Sequence, residues 1–130
     1  MFVIVKTKII LVVSILFGLM FINSGLNKLF NYMPMPEDIP AEMLEIMGAF
    51  ETIGWLMPLV AVVEIIGGVL VIFKPLRTLG ALMLFPIMVG ILLVHLVNEP
   101  SGLIIGLVFF AIELWLLYEG REKLKPLFGA

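Results

Sequence analysis

The stretch IILVVSILFGLMFINSGLNKLF, residues 9–30, decides what kind of molecule this is. From Ile9 to Ile22 it carries one polar side chain, Ser14. As a helix rising about 1.5 Å per residue, the whole run measures about 33 Å, enough to cross roughly 30 Å of hydrocarbon. Its far end is different: Asn23, Ser24, Asn27 and Lys28 follow one another there. Polar groups without partners are costly in lipid, so that end is expected to face other parts of the chain.

Working outward, three more apolar runs of spanning length follow, at residues 56–73, 79–97 and 103–118. Pro58 falls in a first helical turn, where a missing N–H costs nothing. Pro86 lies mid-span and removes one backbone hydrogen bond, so a bend is expected there. The connection after the first span opens with Asn31-Tyr-Met-Pro-Met-Pro-Glu-Asp38, whose prolines end the helix. Asp38 and Pro40 then read as a new helix start. Over residues 40–53, Met43, Ile46, Met47 and Phe50 recur at helical spacing while Glu42 and Glu45 fall opposite. An amphipathic helix at the membrane surface, covering the rim of the bundle, is the expectation.

Four spans leave no room for a second domain, so residues 1–130 read as a single all-α unit, an integral membrane four-helix bundle with one interfacial helix. Composition agrees: 62% of residues are apolar, 14% are charged, and the mean hydropathy is +1.22. A soluble fold needs more polar surface than this. With no cysteine, disulfides, thiolate metal sites and thiol exchange are excluded for this chain. One histidine and scattered acids do not make a metal site. Nucleic-acid binding has no basic patch to support it. No small-x-small cleavage pattern follows the first run, which is therefore expected to stay as a span.

Basic residues orient a membrane protein. Lys6, Lys8, Lys74, Arg77, Arg121, Lys123 and Lys125 all fall on one side, whereas residues 31–55 hold five acids and no Lys or Arg. Both ends are thus expected on the cytoplasmic side of the cytoplasmic membrane, with the 31–55 connection outside. Tyr32 and Trp55 then mark the outer interface, and Trp115 and Tyr118 the inner one.

Four ionisable residues interrupt the spans: Lys28, Glu64, His95 and Glu113. Each costs roughly 2.5–3.5 kcal/mol at the centre of a span on insertion scales, so each needs a partner, water or a role. Advancing 100° per residue puts Ala61, Glu64 and Gly68 within about 60° of arc, and Gly102, Gly106 and Glu113 within about 40°. Ser14, Gly18 and Gly25 make a third small-residue stripe, which Lys28 extends. Such stripes, with Gly67 beside Gly68, let helices approach closely, so both acids are expected to point inward. They can equally join two copies, and a homo-oligomer is among the expectations.

Lys28 is the natural partner of Glu64. Their meeting can be a structural ion pair, or part of a ligand pocket formed by Asn23, Ser24, Asn27, Lys28, Glu64 and His95 in the outer half. His95, close to its span's end, can alternatively reach the interface. Glu113 lacks a cation at its depth; a neutral, hydrogen-bonding structural carboxyl or a proton carrier are its two readings.

The segment Phe21-Ile-Asn-Ser-Gly-Leu-Asn-Lys28-Leu resembles the F-x-x-S-G-x-x-K-L segment of the DoxX family. Ala61-Val-Val-Glu64-Ile-Ile-Gly-Gly68-Val-Leu-Val resembles that family's second-span pattern, and His95 is similarly placed. The resemblance implies a four-helix membrane protein and transfers weight to Ser24, Gly25, Lys28, Glu64, Gly67, Gly68 and His95. It also implies association with redox enzymes of the thiosulfate:quinone oxidoreductase kind. The leading expectation is a membrane subunit or scaffold whose redox partner supplies the chemistry. A quinone-binding subunit, with quinone as cofactor, is the first alternative. A small transporter or proton conductor is the second, since a bundle this short leaves little room for alternating access.

Overall fold

The computed structural model describes residues 1–129, and they form helices without strands. Helix α1 covers Phe2–Phe30, α2 Ala41–Ile53, α3 Leu56–Ile72, α4 Arg77–Leu93, α5 Leu103–Glu119 and the short α6 Arg121–Leu124. Helix α1 starts seven residues before the apolar run does, because nothing near Lys6 and Lys8 breaks a helix and a helix can outrun the hydrocarbon. It ends where Asn31 turns left-handed (φ 49°), its N–H donating to Asn27 O at 2.7 Å. Pro40, rather than Asp38, caps α2, and no side chain bonds the free N–H groups there.

The chain then bends by 95° between α2 and α3. Gly54 permits this with φ 75°, a region that side chains with a Cβ rarely enter. A near right angle to a spanning helix lays α2 along the end of the bundle, as its amphipathic pattern predicts. Helix α4 stays helical on both sides of Pro86. The irregular stretch comes later, in a π turn over Val94–Asn98.

The four long helices alternate in direction. Helix α1 packs on α3, α3 on α4, and α4 on α5, the α1–α3 contact being the most extensive. Phe17 meets Phe109 with ring centroids 6.5 Å apart, and Lys6 Nζ lies 3.1 Å from Glu119 Oε2, so α5 closes back on α1. The core consists of Phe17, Phe21, Val71, Ala81, Leu84, Met88 and Leu116. Opposite faces carry exposed Leu16, Leu19, Val62, Ile66, Leu79, Ile104 and Val108, which face lipid rather than water. Trp55 and Tyr118 are exposed at the two ends, while Trp115 packs partly against the core.

Small residues set the spacing. A Cβ on Gly18 would lie 2.5 Å from Gly68 O, one on Gly68 2.6 Å from Gly18 O, and one on Gly25 2.5 Å from Ala61 O. Backbone thus touches backbone along the whole α1–α3 seam. Gly67 makes room for Leu84 of α4. Two seam positions that the stripes do not pick out, Gly80 and Gly120, are equally tight: Gly80 lies against the α3 backbone and Gly120 against Thr78. The basic end is bound up by Lys123 Nζ donating to Pro75 O (3.2 Å) and Arg77 Nε donating to Val71 O (2.9 Å).

Candidate functional site

The α1–α3 seam brings Lys28 to Glu64. Gly18 opposite Gly68 and Gly25 opposite Ala61 fix an antiparallel register in which Glu64 lies level with Ile22. Helical side chains lean toward the helix N-terminus, so Lys28 reaches back past Ser24. Its Nζ donates to Ser24 Oγ at 2.7 Å and stands 2.7 Å from Glu64 Oε1. The second approach is a close charge contact, not a well-aimed hydrogen bond. Glu64 is 1% exposed and Lys28 24%, so one charge is enclosed and the other retains an outlet.

Beside the pair opens a cavity of about 710 Å³. Its walls are apolar, with Met20, Phe21, Val60, Ile87, Ile91 and Phe109 prominent, and its polar groups are Ser24, Lys28, Glu64 and His95. Phe50 of α2 closes part of its rim, next to Leu56 and Met57. The sequence pattern placed α2 over the bundle with Phe50 on its apolar face but gave Phe50 no part in a pocket. Its membership of the apolar face with Met43 and Ile46 was the available signal.

His95 belongs to the cavity because of the π turn. Its Nδ1 lies 3.0 Å from Glu99 O. A carbonyl can only accept, so Nδ1 is the donor, which makes Nε2 the acceptor of the neutral ring. The ring lies over α5, where a Cβ on Gly102 would stand 2.5 Å from its Cε1 and one on Gly106 3.7 Å from its Cδ2. The Gly102–Gly106 stripe, expected to meet a helix, therefore seats an imidazole. Gly102→Ala should displace the ring and break its bond to Glu99 O, a loss of about 1 kcal/mol. With one histidine in the chain, ¹⁵N NMR reads this directly as a shift from one fixed tautomer to a mixture; an unchanged spectrum would show the ring seated elsewhere.

Two residues expected in the polar cluster lie apart from it. Asn23 is exposed and takes Tyr32 Oη, which donates to its backbone O at 3.0 Å and to its side-chain oxygen. Asn27 Oδ1 accepts from Met33 N at 2.9 Å. Both anchor the connection as it folds back on α1, because the turn at Asn31 returns the chain along that face. Glu99, unnoticed in the sequence, is 6% exposed and accepts from Ser101 N at 3.1 Å, fixing the turn after His95.

Glu113 is fully buried with no cation paired to it among the described residues, and neither of its oxygens has a hydrogen-bond partner there; nor does Ser14 Oγ, on the small-residue stripe of α1.

No curated protein and no solved structure matches the chain. The DoxX family profile matches residues 9–96, a segment that holds the Ser24–Lys28 motif, Glu64 with its paired glycines, and His95. A set of apolar spanning helices with that match identifies the chain as an integral membrane protein belonging to the DoxX family.

Proposed function

We propose that this chain is a membrane subunit whose cavity receives a quinone-class ligand, and that a redox partner supplies the electrons. The observation carrying this reading is the cavity itself: about 710 Å³ of largely apolar space with Lys28, Ser24, Glu64 and His95 among its lining. Small-molecule sites typically measure 300–1,000 Å³ and combine apolar walls with few polar anchors. Lys28 would donate to a ring carbonyl, while Glu64 and His95 Nε2 would accept from a hydroxyl of the reduced form. The side chains of this chain offer no electron carrier, so electrons must come from outside it. The distribution of Lys and Arg favours a cytoplasmic-membrane location with α1 beginning and α5 ending on the cytoplasmic side.

Equilibrium binding of decylubiquinone to the purified chain in nanodiscs tests this. Gly90 lines the cavity, and a Cβ there meets nothing within 4 Å. Gly90→Phe should therefore fill the space without disturbing the bundle and weaken binding at least tenfold, about 1.4 kcal/mol. Lys28→Met should weaken it comparably. Binding unchanged in Gly90→Phe, with the melting temperature maintained, would remove the cavity from consideration; no binding to the native chain would remove the quinone class.

A further inference from the structure

We propose that Glu113 and Ser14 form a second polar site, separate from the cavity, that holds a buried water against a neutral carboxylic acid. Both residues are 0% exposed, and Ser14 Oγ and both Glu113 carboxyl oxygens have no hydrogen-bond partner. Groups so placed are rarely left unsatisfied.

Their helices place them at the same depth. Lys6 meets Glu119 and Phe17 meets Phe109 across the antiparallel α1–α5 contact, a register that puts Ser14 level with Glu113. Ser14 lies one turn from both Gly18, which faces α3, and Phe17, which faces α5, so it points between them. Glu113 lies one turn from Phe109, which meets α1, and from Phe110, whose ring is 6.1 Å from Phe85 of α4. Both side chains therefore point to the bundle axis.

The hydroxyl of Ser14 is also free in a way those of Thr7 and Thr52 are not. Thr7 Oγ1 donates to Val3 O at 2.8 Å and Thr52 Oγ1 to Gly48 O at 2.9 Å, each to the carbonyl one turn back. That bond is the usual resource of a Ser or Thr inside a helix. Ser14 does not make it.

The surroundings decide the charge. On α3 the register puts Ser14 level with Ile72, beside Val71, and on α4 Ala81 and Leu84 are apolar; the nearest polar side chains of α4 lie toward the basic end, Thr78 against Gly120 and Arg77 donating to Val71 O and Ile72 O. On α1 and α5 the other charged groups are at a distance: Lys28 is engaged with Glu64, Lys6 with Glu119 at the basic end, and Lys8 is exposed there. An ionised Glu113 would be an uncompensated charge in the core. As a neutral acid it offers one donor and acceptor capacity, and Ser14 a donor and an acceptor. Two carboxyl oxygens and one hydroxyl supply three polar partners, within the two to four that a buried water uses. Phe17, Phe21 and Phe109 pack between this site and the cavity, Phe17 and Phe21 edge to face at 5.0 Å.

Solid-state NMR of the full chain in bilayers, with ¹³C-labelled Glu and Ser, tests the proposal. One Glu Cδ resonance at the neutral-acid position should vanish in Glu113→Gln, which assigns it. Polarisation transfer from water should reach that carbon although it is sealed from bulk solvent, and should fall by at least half in Ser14→Ala. If Ser14→Ala fails to fold, Ser14→Cys keeps the volume, offers only a weak donor, and should give the same fall. A Glu113 resonance at the carboxylate position, a neutral acid without water transfer, or transfer indifferent to the Ser14 change would each overturn it.

Discussion

Lys28→Met is expected to destabilise the bundle more than any other removal of a single charge, and Glu64→Gln added to it should restore most of the loss. Glu64 is 1% exposed and Lys28 is its only ion-pair partner among the described residues. Breaking an enclosed pair by removing one member costs about 3–5 kcal/mol, because the remaining charge is left in a poorly polarisable interior. Replacing both members with neutral groups of similar size is often nearly neutral. Glu64→Gln alone should be milder than Glu64→Ala, since the amide keeps the volume and a hydrogen-bonding group. Thermal or chemical unfolding in bilayers or mild detergent measures all four variants. A double variant no more stable than Lys28→Met would mean that the two charges are not coupled.

Gly18→Leu should be comparably severe, for a different reason. The clash at Gly18 is with Gly68 O at 2.5 Å, a main-chain atom that no rotamer change can move, with Ile72 Cγ1 at 2.6 Å behind it. Overpacking costs about 1–3 kcal/mol when side chains can yield. Here two backbones must separate, so the upper end of that range or more is expected, with the Lys28–Glu64 contact loosened as well. Gly90→Ala is the control: it meets open space, and alanine favours a helix over glycine by about 1 kcal/mol. Equal melting temperatures for Gly18→Leu and the native chain would show that the helices do not touch at that point.

The Lys28–Glu64 meeting was legible because a helix fixes direction so firmly. Two stripes of small residues, a charge on each, and two antiparallel spans leave few ways to satisfy both groups. The fates of Asn23 and Asn27 were not legible, since they depend on which way the chain turns after Asn31, and short irregular connections carry no periodic signal. His95 illustrates a third situation. Its depth followed from counting residues, but its orientation comes from one π turn and from two glycines, Gly102 at the start of α5 and Gly106 within it. The cavity volume lay beyond sequence for a more general reason: it is what remains after four helices pack, and depends on how they are spaced. Ser14 was read for its small size, with no role for its hydroxyl. Its hydroxyl became notable once the i−4 carbonyl bond, made by Thr7 and Thr52, was found missing.

The Lys6–Glu119 contact at 3.1 Å makes the opening of α1 and the close of α5 neighbours. Anything tethered before the one or after the other therefore leaves from a common face, within a few residues' reach of its counterpart. A short linker could join them and new termini be cut in the exposed connection near Met35, giving a circularly rearranged chain with the same interhelical seams.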